Sequence, residues 1–312
     1  MAEPQTDVEP DTAGNSSASH SNAPQYHPSF SSPDADIVIL SDDGVLFRVH
    51  KLVLQLGSGF FKTMLEMPRD AAEALNNEPI LIQEKSNVFA ILLDIIYPDR
   101  QPHDPQSLEF VQEILQAAEK FDMPKVSKTI RRLATPQSTF LTSAIDLYVL
   151  ASQNGWEDVA KIASAETLKT NLYSSEYRDS LKRLDGNYLI RLVNLHRRRR
   201  RLFIDALDPN LDSEPKVVWR NVISSAESSP CHHFSRGFTL PWTNLKHFVS
   251  EALDVQPVGD AIRERSFIDN PALKTLWDYQ CHLRDCVPRF HFLKEKLHPE
   301  LIRILDLLPS TI

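Results

Sequence analysis

Cysteine and glycine are scarce in this 312-residue chain, and each scarcity removes a class of function. Cys231, Cys281 and Cys286 are its three cysteines, too few for a disulfide-stapled fold and in keeping with a reducing cytosolic or nuclear setting. Eight glycines leave little material for loops that cradle phosphates. Gly57-Ser58-Gly59 lacks the downstream glycines and the Lys-Ser/Thr pair such a loop requires, and reads as a helix-to-helix turn. No run of about eighteen apolar residues occurs, so no membrane span is expected. The opening MAEPQTDVEP lacks the basic and apolar segments of a secretory signal. Basic charge is short as well. Lys and Arg number 34 against 42 Asp and Glu, and the net charge of −8 argues against a general nucleic-acid binder. No nucleophile set, metal set or paired carboxylates stand out, so no catalytic residue, cofactor or enzyme activity is expected.

What the chain does contain is organised around Asp36 to Leu65. Ile37 to Leu40 is a short β-branched apolar run that suits a buried strand. Asp42-Asp43-Gly44 supplies a hairpin turn, because Gly accepts the positive φ such turns need. Val45, Phe47 and Val49 then alternate with Leu46, Arg48 and His50, predicting a second strand with one buried face. Leu52, Leu54 and Leu56 open a short helix, Gly57 stops it, and Ser58 can cap the next. In that next helix Phe60, Phe61, Met64 and Leu65 make one apolar stripe.

These residues resemble the BTB/POZ family. The resemblance rests on Asp36-Ile-Val-Ile, the Asp-Gly turn, Phe47-x-Val49-His50-Lys51-x-x-Leu54, and Ser58-x-Phe60-Phe61-x-x-Met64. PILIQEKSNVFAILLDIIY (79–97) resembles the family's third strand and following helix, and EILQAAEKFDMPKVSKTIRRL (113–133) its closing helical pair. The resemblance covers roughly a third of the chain. It implies an α+β domain, a short three-stranded sheet capped by a helical cluster, acting as a non-catalytic protein-interaction module. It also implies protein partners and a homodimer built from the first strand region and first helices. By position, the partner-facing set would be Asp36, Val38, His50, Lys51, Leu54, Phe60, Phe61, Met64 and Leu65.

Around this domain, taken as residues 34–134, the pattern changes twice. Residues 1–33 are Ser-, Pro-, Asn- and acid-rich and read as a disordered tail. Residues 66–78 are a polar connection, and Ser86 can cap the following helix, apolar over most of its circumference through Val88, Leu92, Ile95 and Ile96. Pro98, Pro102 and Pro105 make a stiff loop, and Pro124 suits the first turn of the domain's last helix. From Thr135 to 312 the chain reads as a mostly helical domain. Residues 143–172 give two helices meeting at Asn154-Gly155, the first lined by Ile145, Leu147, Tyr148 and Ala151. Val159, Ile162, Ala163 and Leu168 line the second. This pair resembles the BACK-like helical extensions that follow BTB domains, particularly in fungal proteins. Residues 208–240 read as a loop with a short apolar piece at Val217 to Trp219.

Several constellations have both a functional and a plainer reading. Asp36 and Lys51 occupy positions where the family brings an acid and a base together in a groove at the dimer centre. They read as a structural ion pair or as a partner contact, with Lys51 lacking the planar fork of an arginine. His50, with no nucleophile-plus-acid arrangement nearby, reads as a structural histidine bonded to backbone. Some family members recruit a cullin-type ubiquitin-ligase scaffold through the Phe60–Leu65 region and a hydrophobic-x-Glu motif beyond it. Here Met67-Pro68-Arg69 lacks the acid, and Met64-Leu65-Glu66 fits only if shifted, so a cullin adaptor stays an alternative. Arg197, Arg198, Arg199, Arg200 and Arg201 read as a solvated helix face, with a nuclear-import run of a transcriptional regulator or a phosphate-binding patch for nucleic acid as the alternatives. Cys231-His232-His233, Cys281-His282 and Cys286 lack the paired ligand spacing of a zinc site.

Overall fold

The computed structural model describes residues 25–68, 78–100, 103–208, 214–217, 240–278 and 290–312. It divides into two compact units. One reaches Pro102 and takes in Gln116–Lys125, and the other holds His103–Leu115 and Val126–Ile312. Residues 1–24, most of the 66–78 connection, Pro102, most of 208–240, and all the cysteines with His232, His233 and His282 lie outside the described residues.

The first unit is built on a three-stranded sheet in the order β2-β1-β3. Strand β1 (Ile37–Leu40) pairs antiparallel with β2 (Leu46–Val49), Ile37 opposite Val49 and Leu40 opposite Leu46. Strand β3 (Ile80–Leu81) adds parallel to β1. The reversal between β1 and β2 uses Gly44 at φ +81°, and Ser41 Oγ bonds both the N–H and the carbonyl of Val45. Helices α1 (Lys51–Gly57), α2 (Gly59–Glu66) and α3 (Ser86–Ile96) follow in the expected places. Ser58 caps α2 by accepting the Phe61 N–H, while its own hydroxyl donates to the Phe121 carbonyl at 2.5 Å. Phe61 stacks on Phe121 at 5.1 Å, and Phe89 meets Phe47, Phe61 and Phe121 edge-on, so four aromatic rings form the centre of the core.

Helix α3 buries every residue from Val88 to Ile96, as expected of a helix apolar on all sides. Its start differs from expectation. Lys85 holds the N-cap position, and Ser86 donates both its N–H and its hydroxyl to the Asp43 carboxylate in the hairpin turn. A carboxylate there satisfies orphan donors at the positive end of the helix dipole, so the hairpin tip caps α3.

The disordered tail expected through residue 33 gives way by residue 25. Tyr26 bridges Leu46, the Leu46 N–H donates to the Gln25 carbonyl, and the Arg48 N–H donates to Phe30. Phe30 is buried, and His27 stacks on Phe47 at 4.9 Å. This segment covers the outer edge of β2, which is why Leu46 is buried beside Phe47 although alternation put it on the open face.

Helices α4 (Leu108–Lys120) and α5 (Pro124–Leu133) follow, separated by Asp122 at φ +49°. In the second unit α6 (Ala144–Gln153) and α7 (Glu157–Thr167) meet at Gly155, φ +65°, as the Asn-Gly pair predicts. Ile162 corrects the expected lining of α7: it is more than half exposed, and Val159, Ala160 and Ala163 face inward instead. Helices α8 (Arg178–Lys182) and α9 (Gly186–Ala206) lead to α10 (Leu240–Val255). Three single turns, α11 (Asp260–Arg263), α12 (Arg265–Ile268) and α13 (Lys274–Trp277), precede the closing helix α14 (Phe290–Leu307). Phe203, Leu245, Val249, Leu301 and Ile304 lie in one buried cluster, with Trp242 donating its indole N–H to the Leu207 carbonyl.

Candidate partner-binding faces

Helix α1 starts where the Lys51 N–H donates to Asp36 Oδ1 at 2.6 Å. Within one short helix the leucines then separate by turn. Leu54 is fully buried, while Leu52 and Leu56, four residues apart on one face, are 66% and 80% exposed. Helix α2 repeats the split, with Phe61 and Leu65 buried and Phe60 and Met67 at its two ends exposed. Both α1 and α2 thus carry exposed apolar side chains, Leu52 and Leu56 on one and Phe60 and Met67 at the ends of the other.

Several expected partner-facing residues are corrected by this geometry. Leu54, Phe61 and Leu65 are core residues, because inward positions of α1 and α2 fill the space over Phe89 and Phe121. Phe60 is available, Met64 and Val38 are half-buried, and Asp36 and Lys51 are exposed. Leu52, Leu56 and Met67 were missed. Leucine repeats in a short helix do not say which member faces in until the neighbouring layer is known. Asp36 and Lys51 do not form the expected buried ion pair, since the contact runs through the Lys51 backbone N–H and Asp36 acts as a cap.

His50 is structural as expected, but its imidazole meets the side chains of Tyr97 and Asp34 and not the backbone expected of it. The Tyr97 hydroxyl accepts the His50 N–H at 3.0 Å and lies 3.1 Å from Nδ1, while Nε2 lies 3.2 Å from Asp34 Oδ2. With the hydroxyl accepting one N–H, its own proton can go to Nδ1, which leaves Nε2–H for the carboxylate. Bonds from Ser32 and His50 hold the Asp34 carboxyl below the usual range, and burial pushes the Tyr97 hydroxyl up. These groups border a cleft of about 580 Å³ with Arg48 and Arg100. Arg100 pairs with Asp94 at 3.2 Å, lies 4.2 Å over the Phe30 ring and donates to the Ser29 carbonyl. The cleft thus fastens the 25–33 segment. Its members come from three distant stretches, so Tyr97, Asp34 and Arg100 carried no signal in the sequence.

The arginine run is also corrected. It does ride on a helix, but Arg199 is 3% exposed and faces the core of the second unit. Its guanidinium donates to the carbonyls of Pro257 at 2.9 Å, Leu305 at 3.4 Å, Leu308 at 3.3 Å and Pro309 at 2.8 Å. Burial lowers its pKa to about 10, so it remains charged at neutral pH, where it lies against the negative end of α14. A receptor reading five consecutive arginines as an extended import signal would have to unwind α9 and pull Arg199 out of its site. Among the described residues no group of three or more His, Cys, Asp or Glu could hold a metal ion. None of the helices there is long and apolar enough to cross a membrane.

A three-stranded sheet under a helical cluster, with this order of hairpin, helical pair, parallel strand and buried helix, agrees with a sequence comparison. Residues 28–138 match the BTB/POZ domain family. The chain carries a BTB/POZ domain. A BTB/POZ domain-containing protein of Arabidopsis thaliana is 27% identical over 110 residues, which cover 35% of this chain and 66% of that protein. The match therefore spans slightly less than two thirds of the relative. The BTB/POZ domain is a protein-interaction module, and the exposed apolar side chains of α1 and α2 belong to it.

Proposed function

We propose that this chain is a non-catalytic interaction protein that homodimerises through the α1–α2 face of its BTB domain. In this reading the domain spans residues 34–134, in a cytoplasmic or nuclear setting. The exposure of Leu52 and Leu56 carries it. Burying one such side chain is worth roughly 1.5–3 kcal/mol, so a two-fold arrangement that covers both on each copy has a substantial driving force. Exposed Asp36 and Lys51 at the edge of that face supply complementary charges for orienting the two copies. The helical region 135–312, BACK-like in style, then offers a client its own surface.

Light scattering on the full chain tests this. The expected mass is twice the 35.5 kDa of one chain, returning to one chain in Leu52→Asp/Leu56→Asp. A wild-type chain that stays monomeric at micromolar concentration removes the dimer. A cullin adaptor is the second reading, supported by Phe60 and Met67 standing exposed at the two ends of α2. A pull-down with a cullin N-terminal domain separates the two, since capture insensitive to Phe60→Asp or Met64→Asp would not run through this helix.

A further inference from the structure

Four of the five arginines of the run remain at the surface of α9 once Arg199 is taken into the core, and they are not equivalent. Arg200 is held by Ser250 Oγ at 2.8 Å and Asp254 at 3.2 Å. Arg201 reaches Asp205 at a loose 3.6 Å and is 84% exposed. Arg197 and Arg198 meet no acidic side chain among the described residues. Buried His196 adds no charge, because burial and Arg199 lower its pKa to about 4. Arg201 stands four residues after Arg197 and three after Arg198, so it neighbours each at about 5–6 Å between Cβ atoms, while Arg197 and Arg198 flank it about 100° apart around the helix. Together with Asn194, Arg200, Ile204 and Asp205 they line an open recess of about 930 Å³ along α9. In a chain of net charge −8, three neighbouring guanidiniums with one loosely held carboxylate form a local basic site.

The span selects the ligand. From Arg197 to Arg201 the helix rises about 6 Å, a span that suits one tetrahedral dianion lying along the helix. A nucleic-acid binder of ordinary affinity neutralises about six to ten phosphates along a strand, far more than this patch can meet. Carboxylates of an acidic peptide carry one charge each, whereas a phosphoserine or phosphothreonine brings nearly two charges and three acceptor oxygens to one point. Arginine's planar fork matches phosphate oxygens bidentately, which lysine does not.

We propose that Arg197, Arg198 and Arg201 on α9 form a docking site for a phosphorylated serine or threonine on a partner peptide. This site is independent of the BTB dimer reading and lies in the second unit.

Fluorescence anisotropy with the full chain tests it, using a labelled Gly-Gly-phosphoserine-Gly-Gly peptide, its unphosphorylated form, and a labelled single-stranded oligonucleotide. The expected result is binding of the phosphopeptide alone, weakened roughly tenfold or more in Arg197→Ala/Arg198→Ala and only partly restored in Arg197→Lys/Arg198→Lys. If the double alanine variant loses its circular dichroism signal, Arg198→Glu alone carries the test with the same expected loss. The proposal fails if neither peptide binds, if both peptides bind alike, or if the variants leave affinity unchanged. It also fails if the oligonucleotide binds more tightly than the phosphopeptide with a steep salt dependence.

Discussion

Replacing Arg199 by Ala should be the most damaging single change in the arginine run, and its size follows from the guanidinium's surroundings. Arg199 donates four hydrogen bonds, three of them to Leu305, Leu308 and Pro309 at the end of α14 and the tail beyond it, and one to Pro257. Leu308 and Pro309 lie past the last helical turn, so their carbonyls depend on the side chain or on water, while the Leu305 carbonyl also accepts the Leu308 N–H. Bonds from a charged donor are worth about 1.5–3 kcal/mol each, but returning the cation to water recovers much of its desolvation cost, which leaves a net loss of roughly 3 kcal/mol. For a unit of this size about 3 kcal/mol lowers Tm by roughly 6–12 °C. Arg198→Ala, which removes no bond within the fold, should stay within about 0.5 kcal/mol of wild type. Arg199→Met keeps volume without the donors and should fall near Arg199→Ala. Thermal melts of the full chain read the difference. Hydrogen exchange locates it, with lost protection expected in 300–312, where the Ile312 N–H otherwise donates to Ser164 Oγ. If Arg199→Ala and Arg199→Met both melt within a degree of Arg198→Ala, the clamp on the C-terminal segment contributes nothing and the reasoning is wrong.

Other outcomes follow from single sites. His196 is buried with its pKa lowered to about 4, by burial first and by Arg199 second. The unfolded chain then binds more protons than the folded one between about pH 6.5 and 4, so stability is complete above 6.5 and lost as pH falls, by up to about 3 kcal/mol. Thr167 donates its hydroxyl to Ser164, so it accepts Nε2–H, a bond His196→Gln can keep. That variant should flatten the acid limb of a pH–stability curve, and an unchanged slope would show that His196 is not the titrating group. Ser58→Ala removes both the α2 cap and the buried bond to Phe121, and should cost about 2 kcal/mol by denaturant titration. Gly259 stands at φ +83°, and a Cβ there would lie 2.6 Å from Leu305 Cδ2. Backbone strain and overlap together should make Gly259→Ala cost about 2–4 kcal/mol, and a neutral melt would show that Leu305 moves aside freely.

Much of the first unit could be read from neighbours in the chain. The Asp-Gly turn, the period-two run through Phe47 and Val49, the Gly57 stop and the Ser58 cap are settled within a few residues, and each appears where local chemistry puts it. The all-round apolar helix 86–96 likewise announced its depth. Other assignments needed the fold. Ser86 is a plausible cap by itself, yet Asp43 reaches it from 43 residues away and takes over the role. Residues 25–33 have the composition of a loose leader, but the open edge of β2 gives their backbone partners and Phe30 a place in the core.

Periodicity therefore determined which helices and strands form, because it depends on spacing along the chain alone. Only tertiary structure decided which leucine of α1 faces solvent and which arginine of α9 is buried. Those choices depend on what the chain brings in from far away to lie against each face. Leu54 and Leu56 differ by half a helical turn, and Arg198 and Arg199 by about 100°. An identical residue type becomes core on one side of that rotation and binding surface on the other.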